Sequence, residues 1–159
     1  MSLIEIIRFN SSDIDAHGID TNLWQGALPP KGRFLQQAGF QMLVLCAVEH
    51  QPPAEDFPGV EVLHAPNDDA DRPPTRGELR IAMDAASRVI LALRNNRKVL
   101  VTCWAGRNRS GLVSALVLRE HLEISGEAAC AIVKMSRPSA LINKHFQDCL
   151  RRLPAPNSR

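Results

Sequence analysis

Residues 99–111 read VLVTCWAGRNRSG, an apolar run, a short polar loop and the start of a second apolar segment. The run Val99–Thr102 is rich in Val and Leu, which favours a short buried strand. The next segment, Gly111–Leu122, is apolar in nearly every direction around a helix axis. We expect a helix that begins near Ser110 and is buried almost all round. The stretch therefore predicts a strand, a tight loop and a buried helix.

Other strands and helices are predicted on both sides of this stretch. Three short apolar runs have the length of strands: Leu23–Leu28, Met42–Val48 and Val60–Leu63. A long helix is predicted over Thr75–Asn95, where Thr75 and Glu78 have the spacing of a capping box. Its apolar residues recur at three- and four-residue steps: Leu79, Ala82, Met83, Ala86, Val89, Ile90 and Leu93.

Two further helices are predicted near the C-terminus. The first spans Gly126–Met135 and should be interrupted by Arg137-Pro138, because proline cannot continue the hydrogen-bond ladder. The second runs from about Leu141 to Leu153. Its apolar side is predicted to consist of Ile142, Phe146 and Leu150. Strands that alternate with helices predict an α/β domain with a central, largely parallel sheet flanked by helices.

The composition indicates one globular domain over residues 1–159. The net charge is 19 − 17 = +2, too small to indicate a nucleic-acid or membrane-surface binder. The longest apolar run, Met42–Val48, is far shorter than the roughly 20 residues of a membrane span. Leu3–Ile7 lacks the features of a signal peptide. The four cysteines are widely spaced and form no zinc motif, so we expect a cytoplasmic protein without disulfides, metal or cofactor.

The polar loop after the strand is a candidate anion site. Backbone N–H groups of a tight loop can converge on one point, and the positive end of the following helix aims at the same point. A phosphate would fit such a cradle. The candidates for binding its oxygens are the loop residues Trp104, Ala105, Gly106, Arg107 and Asn108.

Cys103 and Arg109 stand at the two ends of this loop. The thiolate is the nucleophilic form of cysteine, and a helix N-terminus, inward N–H groups and a guanidinium all favour it. The planar fork of Arg109 can also grip two phosphate oxygens. Gly106 allows a close backbone approach, and the Ser110 hydroxyl is placed to donate to the Cys103 sulfur. Together these residues predict a nucleophile inside an oxyanion site.

A general acid is sought among Asp68, Asp69 and Asp71, which lie between the last predicted strand before the long helix and the helix itself. A leaving alkoxide or phenoxide needs a proton, and a carboxylic acid on a loop can supply it and later activate water. The residues alone leave all three aspartates open.

Three other residues carry two interpretations each. Trp104 would contact a substrate ring or serve only as packing, and Arg107 would attract an anionic substrate or be a solvated charge. Cys46 lies in an apolar strand and is expected in the core, with a redox partnership with Cys103 as the alternative.

The segment from Cys103 to Ser110 resembles the Cys-x5-Arg-Ser/Thr signature of the cysteine-dependent protein tyrosine phosphatases, specifically their small dual-specificity branch. The resemblance extends over most of the chain. It includes Asn22–Gly26, Phe40–Glu49, Ala65–Asp68 and Arg137-Pro138 followed by Asn143, Phe146 and Leu150.

This resemblance implies a dual-specificity phosphatase-like fold and hydrolysis of phosphate esters through a cysteinyl-phosphate. Because Pro66-Asn67-Asp68 is similar to the family's acid position, it favours Asp68 as the acid, with Asp69 and Asp71 as alternatives. One residue departs from the family pattern: Thr102 stands where a histidine usually precedes the cysteine. The family's histidine helps to orient the loop, so this departure bears on the rate and on the pH optimum.

We therefore expect a phosphatase of phosphotyrosine, and of phosphoserine or phosphothreonine, in a phosphorylated protein or peptide, with phosphate or another oxyanion held in the loop. One alternative is a non-protein substrate, an RNA 5′-phosphate or an inositol lipid, since residues 106–110 also resemble RNA 5′-phosphatases. Against RNA stands the small net charge. A second alternative, suggested by Thr102, is a weakened module that binds phosphate without turnover.

Overall fold

The computed structural model describes residues 14–157. Leu3–Ile7, predicted not to be a signal peptide, lies outside the described residues. The five strands are β1 (Ala16–Asp20), β2 (Leu23–Gly26), β3 (Met42–Ala47), β4 (Glu61–Asn67) and β5 (Val99–Thr102). The helices are α1 (Phe34–Gln37), α2 (Arg76–Arg94), α3 (Arg109–His121), α4 (Gly126–Ser136) and α5 (Lys144–Arg151), with a 3-10 turn at Ala54–Asp56.

The strands form one sheet in the order β1-β2-β5-β3-β4. The β1–β2 pair is antiparallel, whereas β2–β5, β5–β3 and β3–β4 are parallel. The prediction of a largely parallel α/β sheet is therefore confirmed. Because β3, β4 and β5 run in the same direction, their carboxyl ends meet at one edge of the sheet, at Ala47, Asn67 and Thr102. The candidate site lies at this edge, as expected for an open parallel sheet.

Side chains alternate between the two faces of β3, as the pleat of a strand requires. Met42, Val44 and Cys46 face the main core with helices α2 to α5, while Leu43 and Leu45 face a smaller core with Phe57 on the opposite side. Ten consecutive residues at the start of α3 are buried, which confirms the prediction of a helix covered almost all round. Such a helix can hold the loop before it in a fixed position.

Helix α2 begins at the predicted capping box. The Thr75 side chain accepts a hydrogen bond from the Glu78 N–H, and the Glu78 carboxylate accepts one from the Thr75 N–H. Met83 was predicted on the apolar face but is about half exposed, since it lies at the margin of the buried stripe. Thr75 thus fixes where α2 begins. The loop before it, residues 68–74, carries the three aspartates and is called the acid loop below.

The last helix starts later than predicted, at Lys144 and not at Leu141. Leu141 has a φ of +53°, a left-handed conformation that an α-helix does not accept, and Asn143 caps the helix. Ile142 therefore lies outside the helix and is exposed, so its predicted place beside Phe146 and Leu150 in the apolar face is wrong.

Strand β4 is longer than predicted and includes Pro66. A proline is tolerated there because β4 is the edge strand of the sheet, where one side of the backbone needs no partner. The extension carries the chain directly to Asn67 and the three aspartates. The polar strand β1 and the one-turn helix α1 were not predicted, because neither has an apolar period long enough to detect.

Candidate active site

The loop between β5 and α3, residues 103–108, has the shape of an anion-binding site and is called the phosphate loop below. Within the part of the chain that the structure describes, the N–H groups of Trp104 to Asn108 donate to no protein acceptor. They precede helix α3, whose positive end favours an anion at the same place. Gly106 has a φ of +66°, and a Cβ at this residue would lie 2.4 Å from the Gly26 carbonyl carbon. The loop therefore requires glycine here.

The carbonyl groups of the same loop are held from behind by two buried side chains. Arg137 is 3% exposed; its Nε donates to the Gly106 oxygen at 2.7 Å and its Nη2 to the Ala105 oxygen at 3.1 Å. Gln25 donates to the Gly106 oxygen as well, at 3.1 Å. When the carbonyls of a loop are fixed on one side, its N–H groups face the other. Arg137 and Gln25 thus direct the amides towards the cradle.

Cys103 lies at the bottom of the cradle and is almost fully buried. Its Sγ is 3.2 Å from the Ser110 Oγ, within hydrogen-bond distance for sulfur. The structure thus brings together the predicted nucleophile and the hydroxyl expected to assist it. Because α3 begins at Arg109, both Ser110 and Arg109 belong to its first turn.

Arg109 is 7% exposed and is held by a carboxylate that sequence analysis missed. Its Nη1 and Nη2 donate to the two carboxylate oxygens of Glu49 at 2.5 and 2.6 Å, and Nη1 also donates to the Asn67 carbonyl at 3.1 Å. Hydrogen bonds from Arg109 hold the pKa of Glu49 below its usual range. The Arg109 Nε is buried and has no partner among the described residues. A buried donor without an acceptor is costly unless a ligand fills the place.

The three aspartates of the acid loop have different surroundings. Asp68 lines the pocket, and its exposed carboxylate lies 3.6 Å from the Arg72 guanidinium. Asp71 points into solvent and contacts His145 at 3.0 Å; it does not line the pocket. Asp71 is therefore poorly placed to act on a group bound at Cys103.

Asp69 joins the acid loop to its neighbours. One of its carboxylate oxygens accepts from the Asn108 amide at 2.8 Å and the other from the Asn143 amide at 2.9 Å. The Asn143 N–H in turn donates to the Asn108 side-chain oxygen at 2.9 Å. The aspartate lines the pocket, but both of its oxygens already accept hydrogen bonds. Asp69 thus links the acid loop to the phosphate loop and to the start of α5.

Thr102 and Cys46 lie at the carboxyl ends of β5 and β3, next to the nucleophile. The Thr102 hydroxyl donates to the Val44 carbonyl of β3 at 2.9 Å, so it is bonded to the sheet and not to the loop. Leu45 pairs with Thr102, which places Cys46 beside Cys103 one residue later. Burial, reinforced by the negative charge at Cys103, raises the pKa of the Cys46 thiol. Cys46 is 1% exposed, which confirms the expectation that it lies in the core.

The pocket above Cys103 has a volume of about 480 Å³. Trp104 stands at its rim, 55% exposed, with its ring edge-on to His50 at a centroid distance of 6.5 Å. Ile142 lies on the wall, and Arg107 is exposed at the mouth. The pocket thus offers an anion site at the bottom and an apolar surface near the top.

Sequence analysis missed three residues that support the loop or Arg109 from other elements: Gln25, Glu49 and Asn67. It also gave Arg137 and Asn143 no role in the site. Glu49 carries one usable signal. It follows β3, and the ends of adjacent parallel strands meet at one edge of a sheet, so a carboxylate after β3 can reach a guanidinium after β5. Gln25 could have been noticed as a polar residue in a buried strand.

Similarity to known proteins was found among solved structures. The sequence matches no protein-family model and no curated protein. Human DUSP28 is 28% identical, with a TM-score of 0.71, and the match covers 86% of this chain and 90% of that one. A mouse protein described as a dual specificity phosphatase, complexed with zinc tungstate, is 26% identical with a TM-score of 0.75, over 89% and 87% of the two chains. Tk-PTP in its active form is 25% identical with a TM-score of 0.73, over 86% and 94%.

The chain is a small dual-specificity-type member of the protein tyrosine phosphatase superfamily. Its structural neighbours are phosphatases, and it is a phosphoric monoester hydrolase. The predictions of the family and of the fold are confirmed. Within residues 14–157, the phosphatase has no helix long and apolar enough to cross a membrane.

Proposed function

We propose that this phosphatase hydrolyses phosphotyrosine, and also phosphoserine and phosphothreonine, in proteins through a cysteinyl-phosphate intermediate. The observation that carries the proposal is the buried Arg109 Nε–H without an acceptor, in the same pocket as the Cys103 sulfur. This unfilled donor supports a site that binds a group with several oxygens next to a nucleophile. We also propose that the partner is a phosphorylated cytoplasmic protein.

In the first step, the Cys103 thiolate attacks phosphorus and a sulfur–phosphorus bond forms. The bond from phosphorus to the ester oxygen breaks, and its electron pair stays on the leaving oxygen. The Asp68 carboxylic acid gives its proton to that oxygen, which releases an alcohol or phenol. The loop amides and Arg109 bind the three remaining phosphoryl oxygens, where charge is spread in the transition state.

In the second step, Asp68 acts as a base. Its carboxylate takes a proton from water while the water oxygen attacks phosphorus. The sulfur–phosphorus bond breaks, its electron pair returns to Cys103, and inorganic phosphate leaves. The Ser110 hydroxyl, 3.2 Å from the sulfur, donates a hydrogen bond to the departing thiolate. The assignment of Asp68 is supported by its place on the pocket wall, where its exposed carboxylate is not bound by the two asparagines that hold Asp69.

The rim of the pocket supports a preference for aryl phosphates. The exposed face of Trp104 and the side chain of Ile142 offer apolar contact to a substrate ring, and aromatic contacts of this kind are worth about 0.5–1.5 kcal/mol. The small net charge supports a protein and not a nucleic-acid partner.

The test compares the wild type with Cys103→Ser on a small aryl phosphate in rapid-mixing experiments. We expect a burst of phenol of one equivalent or less, followed by slower turnover, in the wild type and neither in the variant. Both proteins should still bind inorganic phosphate. Unchanged turnover in the variant would refute the assignment of the nucleophile, and phosphate binding without any wild-type turnover would identify a binding module.

The substrate class is tested on three compounds: a phosphotyrosine peptide, a triphosphorylated RNA and an inositol lipid phosphate. We expect the peptide to have the highest kcat/KM. A higher value for the RNA or for the lipid would replace the protein substrate by that compound while leaving the chemistry at Cys103 in place.

A further inference from the structure

Gln25 is a fully buried polar side chain in strand β2, behind the phosphate loop. Its Nε2 donates to the Gly106 oxygen at 3.1 Å and, more weakly, to the Arg107 oxygen at 3.5 Å. Its Oε1 is buried and has no partner among the described residues. A buried acceptor in that state is costly, and an apolar side chain of the same length would avoid the cost. The amide therefore points to a role other than packing.

The space for this amide is left by a glycine in the first turn of α3. A Cβ at Gly111 would lie 3.4 Å from the Gln25 Nε2 and 2.8 Å from the Leu141 Cγ. The second distance is too short for a Cβ, so a side chain at this residue would displace Leu141 and press against the amide. Gly111 thus leaves room for both side chains behind the loop.

The two carbonyl groups that Gln25 holds decide where the next two N–H groups point. The peptides of the loop are trans, so the C=O of one residue and the N–H of the next point in opposite directions. The Gly106 oxygen, bonded towards β2, turns the Arg107 N–H to the other side, and the Arg107 oxygen does the same for the Asn108 N–H. Neither N–H donates to a protein acceptor among the described residues, and both belong to residues that line the pocket.

We propose that Gln25 is a positioning residue that aims two N–H groups of the phosphate loop, those of Arg107 and Asn108, at the anion site. The inference rests on the proposed function, since it requires a phosphoryl group bound in the loop. Thr102 does not share this task, because its hydroxyl is bonded to the Val44 carbonyl of β3. N–H groups that are fixed in advance stabilise an anion without reorienting, so they favour both the thiolate of the nucleophile and the transition state.

The test uses Gln25→Met, which keeps the length of the side chain but removes its donor. We expect the variant to fold, because methionine adds no unpaired polar atom and each loop carbonyl keeps a second donor. The Gly106 oxygen is still bonded to the Arg137 Nε at 2.7 Å. The Arg107 oxygen is still bonded to the Leu141 N–H at 3.0 Å. The loop should therefore keep its overall shape and lose the fixed direction of its N–H groups.

The readout is the alkylation of Cys103 by iodoacetamide, followed by mass spectrometry of the peptide that contains it. The thiolate is the form that reacts, so we expect the ratio of the rate constants at about pH 6 and about pH 9 to fall about threefold or more in Gln25→Met. On an aryl phosphate, kcat/KM should fall about tenfold. A purely structural role would lower the free energy of unfolding in urea and leave the alkylation ratio unchanged.

Gln51→Met is the matched control. Gln51 also donates through its Nε2 to two backbone carbonyls, those of Leu45 at 2.9 Å and Ala47 at 2.7 Å, and its Oε1 is likewise unpaired among the described residues. Both carbonyls belong to β3 and not to the phosphate loop. We expect its alkylation ratio to stay within about 1.5-fold of the wild-type ratio. If Gln25→Met stays within that range, or if both variants fall alike, the positioning role is overturned.

A measurement on the wild type tests the direction of the N–H groups without any substitution. Inorganic phosphate is added to isotope-labelled protein, and the backbone amide protons of the loop are followed by NMR. The protons of Arg107 and Asn108 should move downfield, as expected for N–H groups that donate to an anion. Phosphate that shifts other loop amides but leaves these two in place would also overturn the proposal. A wild type that neither binds phosphate nor hydrolyses an aryl phosphate would instead refute the proposed function, so the two failures are distinguishable.

Discussion

The phosphate loop and the acid loop meet at the same edge of the sheet but are held in different ways. The phosphate loop is fixed from behind by Arg137 and Gln25 and continues into a buried helix. The acid loop is largely exposed, and Asp69 fastens it to two asparagines. The difference fits the proposed mechanism, in which the phosphoryl group stays in one place, whereas the acid serves a leaving group first and a water molecule later.

The largest effect is expected from a substitution at the end of the phosphate loop, the more firmly held of the two loops: Arg109→Lys. Lysine keeps the positive charge but has no fork, and it cannot hold Glu49 and two phosphoryl oxygens at once. We expect kcat/KM on an aryl phosphate to fall about 10³- to 10⁵-fold, the range found for arginines that stabilise phosphoryl transfer. Steady-state kinetics measure the loss.

The control for this prediction is Arg107→Lys, at the exposed mouth of the same loop. We expect less than about a threefold change there, because a solvated charge contributes little. If Arg109→Lys also changed kcat/KM by less than about threefold, Arg109 would act only through its charge, and the proposed contrast between a buried, bonded guanidinium and an exposed one would be wrong.

A smaller effect is expected from the acid loop, and it separates two neighbouring aspartates. Asp68→Asn removes the proposed proton donor, so kcat should fall about 10²-fold or more on substrates with poor leaving groups. In the wild type, kcat should depend little on the quality of the leaving group, because the acid protonates it. In Asp68→Asn, kcat should fall steeply as the leaving group becomes poorer, and steady-state kinetics on a series of aryl phosphates measure this.

Asp69→Asn is the matched comparison. It should lower kcat by less than about tenfold across the same series of aryl phosphates, because it only weakens the attachment of the loop. If kcat of Asp69→Asn falls steeply with poorer leaving groups and that of Asp68→Asn does not, the acid is Asp69, and the proposed division of roles between the two aspartates is wrong.

The two loops also differ in how far the sequence predicts them. Everything that defines the phosphate loop lies within residues 99–111, so a strand, a required glycine and a buried helix can be read from adjacent residues. Its supports come from elsewhere: Glu49 is 60 positions from Arg109, and Gln25 is 81 positions from Gly106. No local pattern marks such partners. Only the alignment of strand ends brings them together.

The residues alone do not separate the three aspartates of the acid loop, for the same reason. Asp69 is distinguished from Asp68 by contacts with Asn108 and Asn143, which are 39 and 74 positions away. The error at the last helix has a related cause. The apolar spacing of Ile142, Phe146 and Leu150 fits a helix, but the left-handed Leu141 and the capping Asn143 fix a later start. A backbone conformation imposed by packing overrides the periodicity of side chains.

The smallest effect is expected at Asn143, which has two functions that substitutions can separate. Its side-chain oxygen caps α5 and its amide nitrogen donates to Asp69 and to the Ala70 carbonyl. Asn143→Ser should keep the cap, since serine is an equally good N-cap, but lose the contact with the acid loop. We expect a fall in kcat of about two- to fivefold with the free energy of unfolding almost unchanged.

Asn143→Ala should show the same fall in kcat and, in addition, a loss of about 1 kcal/mol in the free energy of unfolding, because alanine cannot cap. Urea denaturation and steady-state kinetics on the two variants separate these effects. Should Asn143→Ser keep full activity, the hydrogen bond from this asparagine would not restrain the acid loop during turnover. Asp69 would then depend on Asn108 alone, and the acid loop would be attached to the phosphate loop and not to the helix.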